Sequence, residues 1–173
     1  MSKSILMTYY LKGSKYRFYK CILPNRDDLP TDVVKRIKEL ERSAIQNGIL
    51  SYMAYACALK YVLENEHPLL FPDLDIDIPM RGYVKCIRIW RSAGLINSFD
   101  KEKLALNIVN SRDFENYLFA KGFPRDINLV NSVRKWVIDQ IKLCGIRGSL
   151  RKTLHSMISH AISIYAGGVV NVR

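Results

Sequence analysis

A chain of 173 residues with 49% apolar side chains can build a hydrophobic core, which excludes a wholly disordered protein and fits one domain with a small appendage. Its net charge of +11 is polarised: residues 1–26 hold six Lys/Arg and no acid, residues 27–80 five basic and ten acidic side chains, and residues 81–173 sixteen basic and six acidic. Four cysteines (Cys21, Cys57, Cys86, Cys144) lie about 30 to 60 residues apart, too sparse for a disulfide scaffold, and point to free thiols in an intracellular, reducing compartment, cytoplasmic or nuclear.

Residues 4–11 and 16–23 read as a β-hairpin, with Lys12, Gly13, Ser14 and Lys15 as turn chemistry. In the second run Tyr16, Phe18, Lys20 and Ile22 alternate with Arg17, Tyr19, Cys21 and Leu23, so neither face is wholly polar. Residues 1–23 are therefore expected to form an arm that meets the helical body or another chain. No secretory leader or lipid anchor is expected, because residues 5–11 break at Lys12 and the second residue is Ser.

Residues 24–30 form a linker. A helix follows with Thr31 or Asp32 as its cap, and Val33, Val34, Ile37, Leu40, Ala44 and Ile45 at helical spacing until Gly48. The next helix, 50–66, is apolar nearly all round and should be the most buried, ending before His67 and Pro68. Residues 68–80 carry Pro68, Pro72 and Pro79 around alternating Asp73, Asp75, Asp77 and Leu74, Ile76, Ile78, the pattern of an extended acidic connection. In 83–91, Val84, Ile87 and Ile89 suit a strand, whereas Gly94 suits a helix end; a helix is expected. Four more helices are expected at 100–110, 111–121, 126–144 and 149–166, punctuated by Gly122, Pro124, Gly145 and Gly167. Residues 153–172 carry no Asp, Glu, Lys or Arg but three Ser and two His, so they read as a core helix and tail and not as a membrane span. The predicted class is mainly α, a multi-helix bundle over 31–173 with an N-terminal hairpin, α+β only at the margin.

The motifs exclude more chemistry than they suggest. Asp73, Asp75 and Asp77 begin like a calcium loop, but such a loop needs Gly next and an acid at the twelfth position, where Ile78 and Val84 stand. His155 and His160 are five apart, about 140° round a helix, and cannot share a metal from one face. No Gly-rich phosphate loop, nucleophile elbow or H-E-x-x-H occurs, so no cofactor, no metal and no enzymatic activity are expected. The segment from Gly145 to Ser149, with Arg147 inside it, could hold a phosphate at a helix N-terminus but reads first as a helix–helix turn.

Three basic sets remain as candidate polyanion sites. The first is Lys12, Lys15, Arg17 and Lys20, interleaved with tyrosines and Phe18 that could stack on bases. The second is Arg81, Lys85, Arg88 and Arg91, near Tyr83 and Trp90. The third is Arg134, Lys135, Lys142, Arg147, Arg151 and Lys152, across the last two helices. The expectation is a non-enzymatic protein binding RNA or DNA through phosphates, with RNA or single strands favoured by the tyrosines. The rival is a basic scaffold that assembles on an anionic membrane or an acidic partner, as small viral matrix proteins do; that comparison rests on size and charge. Self-association is expected through the hairpin or the C-terminal tail.

Overall fold

The computed structural model describes residues 6–12, 18–97 and 100–166, with side chains from Leu23 onward. The fold is mainly α: seven α-helices and one two-stranded hairpin among the described residues. Contacts divide the chain into two compact units, residues 1–62 with 74–98 and residues 63–73 with 99–173. The span 31–173, expected as one helical domain, is thus shared between them, and the hairpin groups with the first.

In the first unit, β1 (Leu6–Lys12) pairs antiparallel with β2 (Phe18–Pro24), from Leu6 opposite Pro24 to Lys12 opposite Phe18. Most of the turn expected between them, and the side-chain faces expected for residues 18–22, lie outside the described residues. The hairpin's end is tied down. Leu23 is fully buried, and the Tyr55 hydroxyl donates to the Pro24 carbonyl at 2.7 Å. After a 3-10 turn, Arg26–Asp28, the chain enters α1 (Thr31–Gln46). Arg26 grips the buried Glu41 of α1 with both ends of its guanidinium, which also lies 4.1 Å over the Tyr55 ring.

The expected caps of α1 are corrected. Pro30 is the N-cap, with no side-chain hydrogen bond, and Thr31 is already helical. Proline's fixed φ sets the entry angle that a capping hydroxyl would otherwise secure. Val33, Ile37, Leu40 and Ala44 form the buried stripe. Gly48, at φ +92°, closes the helix as its N–H bonds back to Ile45.

Helix α2 (Ser51–Asn65) is buried over 54–59 and 61–63, as an all-apolar helix requires. Residues 74–79 are extended without a strand partner: Asp75 and Asp77 face solvent, Ile76 and Ile78 are buried, and Lys60 donates to the Ile76 carbonyl at 3.0 Å. The expected alternation holds over 74–78, but residues 68–73, expected to be extended as well, form turns and bends. Residues 83–91 lie within a helix, α3 (Met80–Ser92). Its inner face holds Cys86 and Trp90, one turn apart; the Trp90 indole donates to Leu40 O at 2.8 Å and its ring meets Tyr61 edge-on. Gly82 faces Met53: a Cβ there would stand 3.3 Å from the Met53 methyl, a close contact with the end of a flexible side chain.

The second unit holds α4 (Lys101–Val109), α5 (Arg112–Ala120), α6 (Ile127–Cys144) and α7 (Leu150–Tyr165). Asp100, Ser111, Asp126 and Ser149, the expected first residues, stand one position outside as N-caps. Helix α6 packs on α7 and α4, and its buried Val130, Val133, Val137 and Ile141 share a core with Phe114, Leu118, Leu150, Leu154 and Ile158.

Candidate functional site

The three basic sets meet different fates. Lys12 and Lys20 lie in the hairpin strands, opposite Phe18 and Tyr10. Their side chains, and Lys15 and Arg17 altogether, lie outside the described residues, as does the C-terminal tail beyond 166.

The second set is coherent. Arg81, Lys85, Arg88 and Arg91 are all exposed on α3. At roughly 100° per residue they fall within about 120° of arc, and they span about 15 Å of helix. Helix α3 contains no Asp or Glu, and none of the four has a carboxylate partner among the described residues. Met80 and Val84, 67% and 44% exposed, share this outer face. Its opposite face is the one that Cys86 and Trp90 bury.

The third set divides. Lys135, Lys142, Arg147 and Lys152 are exposed. Arg134 is not a free surface cation: it donates to the Val109 carbonyl at 2.9 Å, to Asn131 at 2.8 Å and to Glu115 at 2.8 Å. Arg151 is buried. Its guanidinium donates to the carbonyls of Pro68 at 3.0 Å, Leu70 at 2.7 Å and Phe71 at 2.5 Å. As candidate polyanion ligands, Arg134 and Arg151 are corrected to internal braces. The signal was present in the sequence: Arg151 lies three and seven residues before Leu154 and Ile158, on the buried stripe of α7.

The segment 145–149 is a helix–helix turn. Ser149 Oγ accepts from Lys152 N, Thr153 Oγ1 donates to Arg147 O, and Lys101 Nζ donates to Gly148 O. His155 lies 2.8 Å from Pro68 O and against the Tyr117 ring, and burial lowers its pKa. His160 is exposed and stacks flat on Trp136. Among the described residues no cluster of three metal-ligating side chains occurs, and no helix is long and apolar enough to cross a membrane.

A cavity of about 440 Å³ in the second unit was missed from sequence. The turn 66–72 forms one wall and the α4–α5 corner the other, with Ile108 and Tyr117 among the lining side chains. The punctuation of Pro68 and Pro72 marked the turn. The backbone of Phe71, at φ +49°, did not show in its side-chain type, because left-handed φ is uncommon for any residue but Gly. Comparison of this chain with family models, with curated proteins and with solved structures found no match.

Proposed function

We propose that this protein binds nucleic acid through the sugar-phosphate backbone, without catalysing a reaction, and that α3 is its principal binding element. The observation that carries the reading is the row of four exposed cations on α3, free of acidic neighbours within the helix. Such a row neutralises successive phosphates and releases their counterions. The first unit carries fifteen Lys/Arg against seven Asp/Glu and the second twelve against nine, so most of the excess charge lies with the unit that holds α3. Lys135, Lys142, Arg147 and Lys152 would add phosphate ligands from the second unit. Recognition would be weakly sequence-specific, with RNA or single strands favoured if the hairpin tyrosines stack on bases. The buried free thiols Cys57 and Cys86 and the exposed free thiol Cys144 suit a reducing compartment.

A second reading has its own observation. Exposed Met80 and Val84 beside the same cations suit an anionic membrane surface, or an acidic protein partner, where a scaffold of this kind would assemble through the hairpin or the tail.

The test replaces Arg81, Lys85, Arg88 and Arg91 together by Gln, all exposed and so safe for the fold. Affinity for single-stranded RNA and duplex DNA should fall, and the slope of log K against log salt should drop by about 0.7–0.9 for each phosphate no longer neutralised. Unchanged affinity and slope would refute the reading. Loss of binding to phosphatidylserine vesicles alone would favour the membrane surface.

A further inference from the structure

The cavity in the second unit differs in charge from the molecule around it. No Lys or Arg lines it, whereas Glu66 and Asp113 do. A shallower depression of about 350 Å³ continues it past Glu66 and Asn107 and adds Asp100 and Lys103. In a chain of net charge +11 this is an acidic-rimmed groove over an apolar floor.

Its wall is built and held from behind. Arg151 binds three carbonyls of the 66–72 turn, and His155 lies against a carbonyl that Arg151 also holds, so the turn's shape does not depend on a ligand. Tyr117 is among the residues that line the cavity. Tyr117 is 5% exposed, and its hydroxyl has no hydrogen-bond partner among the described residues. No polar side-chain atom fully shut off from solvent lacks a partner among those residues, so the hydroxyl keeps some access to solvent. Burial pushes its pKa up to about 12, and it stays a neutral donor and acceptor.

We propose that this groove docks a peptide segment of a protein partner that presents an apolar side chain next to Lys or Arg. The apolar side chain fills the cavity over Ile108, the Tyr117 hydroxyl bonds a peptide group, and the neighbouring cation meets Asp113 at the rim. Volumes of this order hold a ligand when a few polar groups orient it within apolar walls. The groove belongs to the second unit and α3 to the first, so the Gln variant of α3 should leave peptide binding untouched.

The test follows backbone amide shifts of the full chain, isotope-labelled, during titration with acetyl-Phe-Arg-amide and with acetyl-Phe-Glu-amide. The first should give saturable shifts confined to residues 66–72 and 100–120; the second should bind more weakly. Tyr117→Phe should weaken the first peptide about 3- to 10-fold, the worth of one hydrogen bond. Asp113→Lys should weaken it about two- to fivefold. Ala120→Trp, at an exposed lining position, should block the cavity while leaving the spectrum elsewhere unchanged. Equal binding of the two peptides, binding that survives Ala120→Trp, or no saturable shift at millimolar peptide would overturn the proposal. So would tighter binding of phenethylammonium than of the peptide, which would reassign the site to a small organic cation, or shifts of these same amides by single-stranded RNA.

Discussion

Two arginines on different helices, Arg88 and Arg151, show how little a residue's type says about its role. Arg88 is exposed and without an ion pair among the described residues; Arg151 is 9% exposed and satisfies three carbonyls. Removing a partner from buried acceptors costs their desolvation, whereas a surface change costs little. We expect Arg151→Met to destabilise the second unit by about 2–4 kcal/mol and Arg88→Gln to stay within about 0.5 kcal/mol, as read by urea unfolding. Equal effects would show that Arg151 does not brace the turn. The nearby His155 adds a pH dependence. Burial lowers its folded pKa below the ordinary 6.5, so the unfolded chain takes the proton more readily. Its contribution is complete above pH 6.5 and is lost as pH falls through the folded value. The unfolding midpoint should therefore decline on acidification from pH 6.5, and His155→Gln should flatten that part of the curve. A wild-type midpoint that is insensitive to pH there would contradict this. The inward positions of Arg151 and His155 were half legible in sequence. The stripe through Leu154 and Ile158 marks Arg151 as inward, but its carbonyl partners lie about eighty residues away, where no periodicity reaches.

At the scale of elements, the last four helices were legible because each begins at a residue that can cap and ends at Gly, Pro or a polar break. The caps are not equivalent. Asp126 accepts from the N–H groups of Asn128 and Leu129. Ser111 instead turns its hydroxyl back to the Ile108 carbonyl at 2.6 Å and caps nothing. Loss of an N-cap acceptor costs about 1 kcal/mol. Asp126→Ala should therefore lower stability by about that amount, and Ser111→Ala should act only through the missing bond to Ile108. Thermal unfolding of the two variants, each compared with Asp126→Asn or Ser111→Asp at the same site, separates these effects: Asn should rescue position 126, and full rescue by Asp at 111, which can accept from an N–H but cannot donate to Ile108, would argue that Ser111 caps after all. Helix α3 was harder to read. Its Val84, Ile87 and Ile89 favour a strand locally; Gly94 marked a helix end, and burial of Cys86 and Trp90 on one face completes the helix.

For the whole molecule, the two-unit division was not legible, because α2 runs unbroken across it and the 63–73 segment joins a unit otherwise made after residue 98. Such membership depends on non-local packing and leaves no mark in composition. The hairpin poses the same question in testable form. Sequence suggested an arm that ends at residue 23, yet Leu23 is fully buried and Pro24 and Arg26 are held by Tyr55 and Glu41. The boundary between arm and core therefore falls before Leu23. Deleting residues 1–22 should leave the helical circular dichroism and the cooperative unfolding of the body intact, while weakening self-association in sedimentation. Deleting residues 1–26 removes the cation from a buried carboxylate and takes the Pro24 carbonyl away from the Tyr55 hydroxyl. Leaving a buried charge unpaired costs about 3–5 kcal/mol, so this second truncation should unfold at distinctly lower denaturant. If both truncations unfold alike and early, the hairpin belongs to the core of the first unit. If neither loses stability, the Arg26–Glu41 clamp contributes nothing.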